Sequence, residues 1–371
     1  MTLPLILTGI DLPMEPSCGS TIWCSDVYPR LDGFRTVFAG LPGSGTWKHS
    51  FTDTILLGAT KQPYGPAFDT YTARLTEEVA DLLEEHHPDL IHAQHLGFGL
   101  SLAFARTAGT RRQRIPIVSV AHGTDVIAAA ENDQALSTLR EIAAASERLV
   151  VPTPAMASEV DRLTDGRHTS RLSVVPWGIP LPEAPFTQPG GGRRLSLVHA
   201  GRLDANKFTR TAIEALALTE EPHQLTVIGS GSELAALQDQ AANLDLGDRA
   251  RFEAFLPRDE LWSRLPDFDL MLFTTRQLEA YGLVAVEAQA HGVPVLYSDL
   301  PGLKDILGPG ALSYPPGDAA ALAVLIDDLA ADPTRRQTLR ADAIANARRH
   351  DVAGTAEGLA ALSRSVLEGL R

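Results

Sequence analysis

The chain has 371 residues, 44% hydrophobic and 21% charged, the balance of a soluble globular protein long enough for two domains. Its net charge of −14 is spread evenly, with 14 Lys and Arg against 21 Asp and Glu in residues 1–185 and 18 against 25 in the rest, so neither half reads as a nucleic-acid binder. There is no run of about 18 apolar residues for a transmembrane helix, and Cys18 and Cys24, the only cysteines, lack metal-ligand spacing and point to a reducing, cytoplasmic setting.

In chain order, short β-branched apolar runs alternate with helical patterns. The first run, residues 3–8, lacks the basic segment of a signal peptide and leads straight into Gly9 and Asp11, so it reads as a strand. Further strands are expected over 36–39, 54–57, 90–93, 115–121, 148–151 and 172–175, with helices between them, such as 71–86 and 134–145. The tight basic group Arg111, Arg112 and Arg114 reads as a solvated loop before a strand rather than a lipid patch. Residues 179–192 break the pattern with four prolines and three consecutive glycines, which marks a linker over 181–192. Strands resume over 195–199, 224–228, 251–255, 270–274, 293–297 and 312–314, and the chain closes on a helix over 352–370. Apolar strands separated by helices form parallel sheets covered on both faces. The expected fold class is α/β: two doubly wound Rossmann-like domains, 1–180 and 193–350, facing each other across a cleft with ligands at the strands' C-terminal ends.

The most informative stretch is Glu279-Ala-Tyr-Gly-Leu-Val-Ala-Val-Glu287, which continues into Gly292-Val-Pro-Val295. A loop is expected over 276–282 and a helix over 283–290. The N–H groups of Gly282 and Leu283 then lie at a helix N-terminus, a ready anion site. Glu279 precedes that point and Glu287 follows it on the helix, so an anion can sit between two carboxylates that accept hydroxyl hydrogen bonds. The sugar, diphosphate and ribose of a nucleotide sugar come in that order. This string resembles the donor-site signature of retaining glycosyltransferases of the GT-B fold, family 4 (group 1) in particular. The resemblance implies that Glu279 contacts the donor sugar's hydroxyls and Glu287 the ribose, and it places Tyr281 (where the family usually has Phe), Gly282 and Leu283 among the donor-binding residues.

Three further elements resemble the same family. In His199-Ala-Gly-Arg-Leu-Asp-Ala-Asn-Lys207 a strand ends at Gly201, and Arg202 and Lys207 precede a helix over 209–217. Two cations there can neutralise a diphosphate leaving group, whose charge grows as the glycosidic bond breaks; alone, the same pair reads as surface residues capping a loop. The stretch resembles the family's Gly-Arg-…-Lys element, with Phe208 where the family often has Gly. Val120-Ala-His-Gly-Thr-Asp125 resembles the His-Gly-x-Asp element, whose histidine, here His122, lies beside the donor sugar. Asp125 either caps a helix over 126–130 or contacts sugar or acceptor. Gly19, within Ser17-Cys-Gly-Ser-Thr21, stands where the family carries a Gly-Gly turn near the diphosphate; an N-cap by Ser20 or Thr21 is the competing reading. Gly229 and Gly231 follow the strand over 224–228, in a loop that lines the nucleotide base in the family. His92, after Leu90-Ile91, matches a recurrent strand-end His of the family, with a structural role as the favoured reading. The helix over 351–371 returns to the first domain in the family.

No Asp-x-Asp pair is placed as a divalent clamp and no His/Cys cluster occurs, so no metal or cofactor is expected, and the diphosphate's charge falls to Arg202, Lys207 and helix N-termini. The resemblance implies a front-face displacement in which the leaving phosphate takes the acceptor's proton. The resulting expectation is a retaining, metal-independent hexosyltransferase. It uses a nucleoside-diphosphate sugar, UDP favoured over GDP, and a small polar acceptor. Acidic Asp125, Glu131 and Asp133 suggest a cationic natural product such as an aminocyclitol. A monomer or homodimer is expected. The alternatives are a nucleotide-sugar 2-epimerase of the same fold and an inactive nucleotide-binding GT-B domain. A dinucleotide oxidoreductase fits less well, because no Gly-x-Gly-x-x-Gly follows the first strand.

Overall fold

The computed structural model describes residues 3–16, 18–43, 45, 47–109, 114–182 and 192–369. Ser17, Arg111, Arg112 and all but the edges of the expected 181–192 linker lie outside the described residues. The chain divides into two compact units, Met1–Gly178 with Val352–Arg371, and Ile179–Asp351.

The first unit holds β1 (Leu5–Pro13), β2 (Arg35–Leu41), β3 (Asp53–Leu56), β4 (Leu90–Gln94), β5 (Ile117–Val120), β6 (Arg148–Val151) and β7 (Leu172–Val174). They form one parallel sheet in the order β3-β2-β1-β4-β5-β6-β7. Every residue of β4 and β5 is buried, which requires cover on both faces. The helix Gly99–Ala108 lies on these strands, and Phe68–His86 packs against that helix. The buried Phe68, Tyr71, Thr72, Leu75, Val79 and Leu83 of Phe68–His86 recur every three or four residues, and this helix stops where His87 turns left-handed. Strand β1 runs on to Pro13 because it keeps pairing with β2 as far as Leu41.

The second unit holds β8 (Ser196–Ala200), β9 (Gln224–Ile228), β10 (Ala250–Glu253), β11 (Leu270–Phe273), β12 (Val295–Ser298) and β13 (Ala311–Tyr314), again parallel, in the order β10-β9-β8-β11-β12-β13. Its core joins Leu197, Leu225, Leu270, Leu272 and Leu296 of the strands to Ile213 and Leu216 of helix Arg210–Leu218 and to Leu322 and Ile326 of helix Ala319–Ala331. Burying each such side chain contributes about 1.5–3 kcal/mol. In both sheets the order reverses beside the first strand, between β1 and β4 and between β8 and β11, which opens a crevice at the strands' C-terminal ends.

The last helix, Val352–Gly369, belongs to the first unit. It buries Leu359, Ala360, Ser363 and Val366, and Thr355 Oγ1 donates to Pro176 O at 2.9 Å. Among the described residues no helix is long and apolar enough to cross a membrane.

Candidate functional site

In the second unit, loops of residues 201–207 and 274–282 leave the ends of β8 and β11, the neighbours at which strand order reverses. Threonines stitch the two together. Thr274 Oγ1 donates to Lys207 O at 2.8 Å, and Thr275 Oγ1 and Arg276 N both donate to Asn206 O, at 3.3 and 3.2 Å. Beneath them His199 Nδ1 lies 2.9 Å from Leu272 O. A carbonyl only accepts, so Nδ1 carries the proton and Nε2 accepts from the Thr209 hydroxyl at 2.9 Å. Burial holds the His199 pKa down at about 4, so the ring is neutral at pH 7.

This stitching brings Lys207 Nζ to 2.6 Å from Glu279 Oε2, with the side chains 21% and 15% exposed. Arg202 is exposed and pairs with Asp204 of its own loop at 3.0 Å. Gly282 begins helix Leu283–Ala290 in the left-handed conformation, with φ 75°, and a Cβ there would stand 3.0 Å from the Phe273 ring. Glycine is therefore demanded twice. The N–H groups of Leu283 and Val284 are among the orphan donors of that helix N-terminus. Glu287, one turn further on, is buried.

The side chain of Tyr281, expected among the donor-binding residues, is turned into the unit. Its ring is buried, and its hydroxyl lies 2.6 Å from His350 Nδ1, while His350 Nε2 lies 2.8 Å from Ile306 O. It anchors the loop to the unit's own interior. Gly229 and Gly231 are glycines for a packing reason. Gly201 N donates to Ile228 O at 3.0 Å and Leu203 N to Ser230 O at 2.8 Å, so backbone lies on backbone. A Cβ on Gly229 would stand 1.9 Å from Gly201 O, and one on Gly231 2.4 Å from Leu203 O.

In the first unit a row of rings stands beyond β4 and β5. Lys61 Nζ lies 3.5 Å from the Phe98 ring centroid and 3.8 Å from Asp11 Oδ2. Phe98 stacks on His95 with centroids 3.9 Å apart, and His95 on His122 at 4.3 Å. Trp23 meets His122 edge-on at 5.3 Å. Burial, and then the neighbouring His95, holds the His122 pKa well below its ordinary value, so this imidazole is neutral at neutral pH.

Asp125 corrects both of its expected roles. It is fully buried, its Oδ1 accepts from His122 N at 3.1 Å and its Oδ2 from Leu96 N at 2.5 Å. It clamps the ends of β4 and β5 together with no exposed surface of its own, and the N-cap of helix Thr124–Glu131 is Gly123. Glu131 and Asp133 are exposed, at the end of that helix and the start of Asp133–Ala145. Gly19 is exposed at the start of helix Gly19–Val27, whose N-cap is Cys18. Ser20 does not cap; its Oγ lies 3.0 Å from His95 Nε2, and Thr21 is buried.

Gln94, His95, Thr274 and Thr275 escaped the sequence reading. Strand periodicity carried a signal for the first: His92 and Gln94 are two apart on β4 and share a face. The Thr-Thr pair directly after β11 was a second signal. His95 has φ 69°, which sequence does not show.

Residues 187–350 match the family model "Glycosyl transferases group 1", and residues 35–182 match "Glycosyltransferase Family 4". A glycogen synthase of Mycobacterium tuberculosis is 28% identical over 263 residues, 67% of this chain and 62% of the synthase, so the chain spans less than two thirds of that relative's length. A D-inositol 3-phosphate glycosyltransferase of Nocardia farcinica is 30% identical over 334 residues, covering 81% of this chain and 72% of the relative. Two solved structures share the fold at 20% identity. Sucrose-phosphate synthase of Thermosynechococcus elongatus gives a TM-score of 0.85 over 99% of this chain and 100% of its own. Anabaena HepE in complex with UDP and glucose gives 0.81 over 98% and 100%. With both halves matched, its two parallel α/β units and a 30% identical relative, the chain belongs to the group 1, family 4 glycosyltransferases of GT-B fold.

Proposed function

We propose that the chain transfers a hexose, with retention and without a metal ion, from a nucleoside-diphosphate sugar to a hydroxyl of a small polar acceptor. The observation that carries this reading is the Lys207–Glu279 contact at 2.6 Å, formed at the switch point of the second sheet beside the N-terminus of Leu283–Ala290. The ammonium and the helix N–H groups suit a diphosphate, Glu279 suits the sugar hydroxyls, and Glu287 suits the ribose. UDP is the favoured nucleotide, since a neighbour in fold, Anabaena HepE, holds UDP.

In the proposed step the bond from C1 to the leaving diphosphate oxygen breaks as the acceptor oxygen bonds to C1 on the same face. The acceptor's proton passes to the leaving phosphate. Charge gathering on the diphosphate is stabilised by Lys207, Arg202 and the helix N-terminus, which do the neutralising a metal would otherwise do. Glu279, tied to Lys207, orients the sugar and is not the nucleophile. With Asp125 withdrawn, exposed Glu131 and Asp133 are the remaining carboxylates for a cationic acceptor such as an aminocyclitol.

Calorimetric titration of UDP, GDP, ADP and dTDP into wild type and Lys207→Met, with and without EDTA, tests the reading. One diphosphate is expected to bind regardless of EDTA and to weaken about 10- to 100-fold in the variant, the worth of a hydrogen bond to a charged group. If none of the four binds, the donor site is wrong, and if EDTA abolishes binding, metal independence is wrong. Turnover of the sugar nucleotide with no acceptor present would move the assignment to an epimerase.

A further inference from the structure

A buried chain of hydrogen bonds runs from His122 to the C-terminal helix of the same unit. His122 Nε2 lies 2.8 Å from Gln94 Oε1. Gln94 Nε2 lies 3.0 Å from Thr8 Oγ1 and also reaches the Tyr28 hydroxyl. That hydroxyl is 2.9 Å from His92 Nδ1, and His92 Nε2 is 3.0 Å from Ser363 Oγ. Both ends are set by carbonyls, which only accept: Thr8 donates its hydroxyl proton to His92 O at 2.9 Å and Ser363 to Leu359 O at 2.7 Å.

The direction of every other bond follows from those ends. Ser363 has given its proton, so it accepts, and His92 Nε2 carries a hydrogen. His92 Nδ1 then accepts from Tyr28, and Tyr28 accepts from Gln94. Thr8 likewise accepts from Gln94. The amide nitrogen of Gln94 therefore faces Thr8 and Tyr28, its oxygen faces His122, and His122 Nε2 is the protonated nitrogen. The reverse order spends the Thr8 and Ser363 protons inside the chain and forfeits the bonds to His92 O and Leu359 O. At the usual net worth of two hydrogen bonds it is disfavoured about 30-fold.

We infer that Gln94, oriented from Thr8 and Ser363 through Tyr28 and His92, is a positioning residue that locks His122 as the Nε2–H tautomer, so that Nδ1 stands as an unprotonated acceptor for a substrate hydroxyl. Nδ1 is buried and has no hydrogen-bond partner among the described residues. An unpartnered buried acceptor costs stability, which an incoming donor restores. Burial keeps His92 neutral as well, with a pKa of about 3, so the relay holds its order at neutral pH. The substrate hydroxyl rests on the glycosyltransferase reading; the tautomer does not.

Nitrogen-15 NMR of histidine-labelled, ligand-free protein reads the tautomer directly, with the His122 signals assigned by their loss in His122→Gln. Wild type is expected to show protonated Nε2 and unprotonated Nδ1. Gln94→Met is expected to mix or invert the two, and Ser363→Ala, a smaller change at the far end of the chain of bonds, to do so more weakly. An Nδ1–H tautomer in wild type, or a tautomer unmoved in both variants, overturns the lock. With the lock established, Gln94→Met is expected to lower kcat of sugar transfer about tenfold while the donor KM moves less than about twofold. An unchanged kcat with an inverted tautomer overturns the hydroxyl contact. Failure of wild type to bind any nucleoside diphosphate would instead remove the glycosyltransferase reading and leave the NMR result standing.

Discussion

Replacing Gly229 by alanine probes how tightly the two glycine loops of the second unit are pressed together. Gly229 has φ +154°, which side-chain-bearing residues rarely adopt, and its Cβ would stand 1.9 Å from Gly201 O and 3.1 Å from the Gly201 carbonyl carbon. Real Cβ atoms essentially never come within 3.0 Å, so the loops must part by about 1.1 Å, the difference between 3.0 and 1.9. The clash is with backbone, and no side-chain rotation relieves it. Strain at such a backbone position costs about 1–3 kcal/mol and overpacking about as much again. Partial relaxation leaves an expected loss of about 3 kcal/mol, or about 6–12 °C in Tm for a unit the size of Ile179–Asp351. Parting the loops also strains the bonds from Gly201 N to Ile228 O and from Leu203 N to Ser230 O, which flank Arg202. UDP affinity should fall as well, measured by calorimetry well below the melting point. Gly19→Ala is the control, because a Cβ there meets nothing within 4 Å, and its Tm should stay within about 2 °C of wild type. A Gly229→Ala protein melting no lower than the control would refute the steric argument. A lowered Tm with unchanged UDP affinity would separate this loop from the donor site.

On the proposed donor-site reading, Glu279→Gln removes the carboxylate that competes with a diphosphate for Lys207. It should strengthen UDP binding about threefold while cutting sugar transfer at least about 100-fold, and weaker UDP binding would contradict the pairing at 2.6 Å. Tyr281→Phe deletes a buried hydroxyl and leaves His350 Nδ1 without its donor, so about 1–3 kcal/mol of stability should go in denaturant melts while turnover stays within about twofold; a selective loss of turnover would return Tyr281 to the donor site. His92 and His199, held at about 3 and about 4, sit below the ordinary histidine value near 6.5, so the unfolded chain takes up their protons first as pH falls. Their contribution is complete above about pH 6.5 and drains away toward pH 4 and then 3, at about 2 kcal/mol per histidine by pH 5. Urea midpoints that stay flat between pH 7 and 5 would show that these rings are not buried neutral.

The sequence by itself determined the two parallel sheets and supplied the candidate residues of the site, because both are read from local properties. A short apolar run such as Leu270–Phe273, repeated between helical patterns, reads as a doubly covered strand, and Gly282 before an apolar helical period marks a helix start wherever the chain puts it. Glu279, Lys207 and His122 were each legible from the strand end and turn beside them. Their partners were not. Lys207 and Glu279 stand 72 residues apart and meet only because β8 and β11 are neighbours in the sheet. Asp125 reads as an available carboxylate until the ends of β4 and β5 close around it, and Tyr281 reads as a ligand contact until His350 takes its hydroxyl. The tautomer of His122 depends on residues 8, 28, 92, 94 and 363 from four separate elements. A side chain's type is written in the sequence, but burial, charge state and the direction of each hydrogen bond belong to groups brought together from distant positions, and only tertiary packing decides which groups those are.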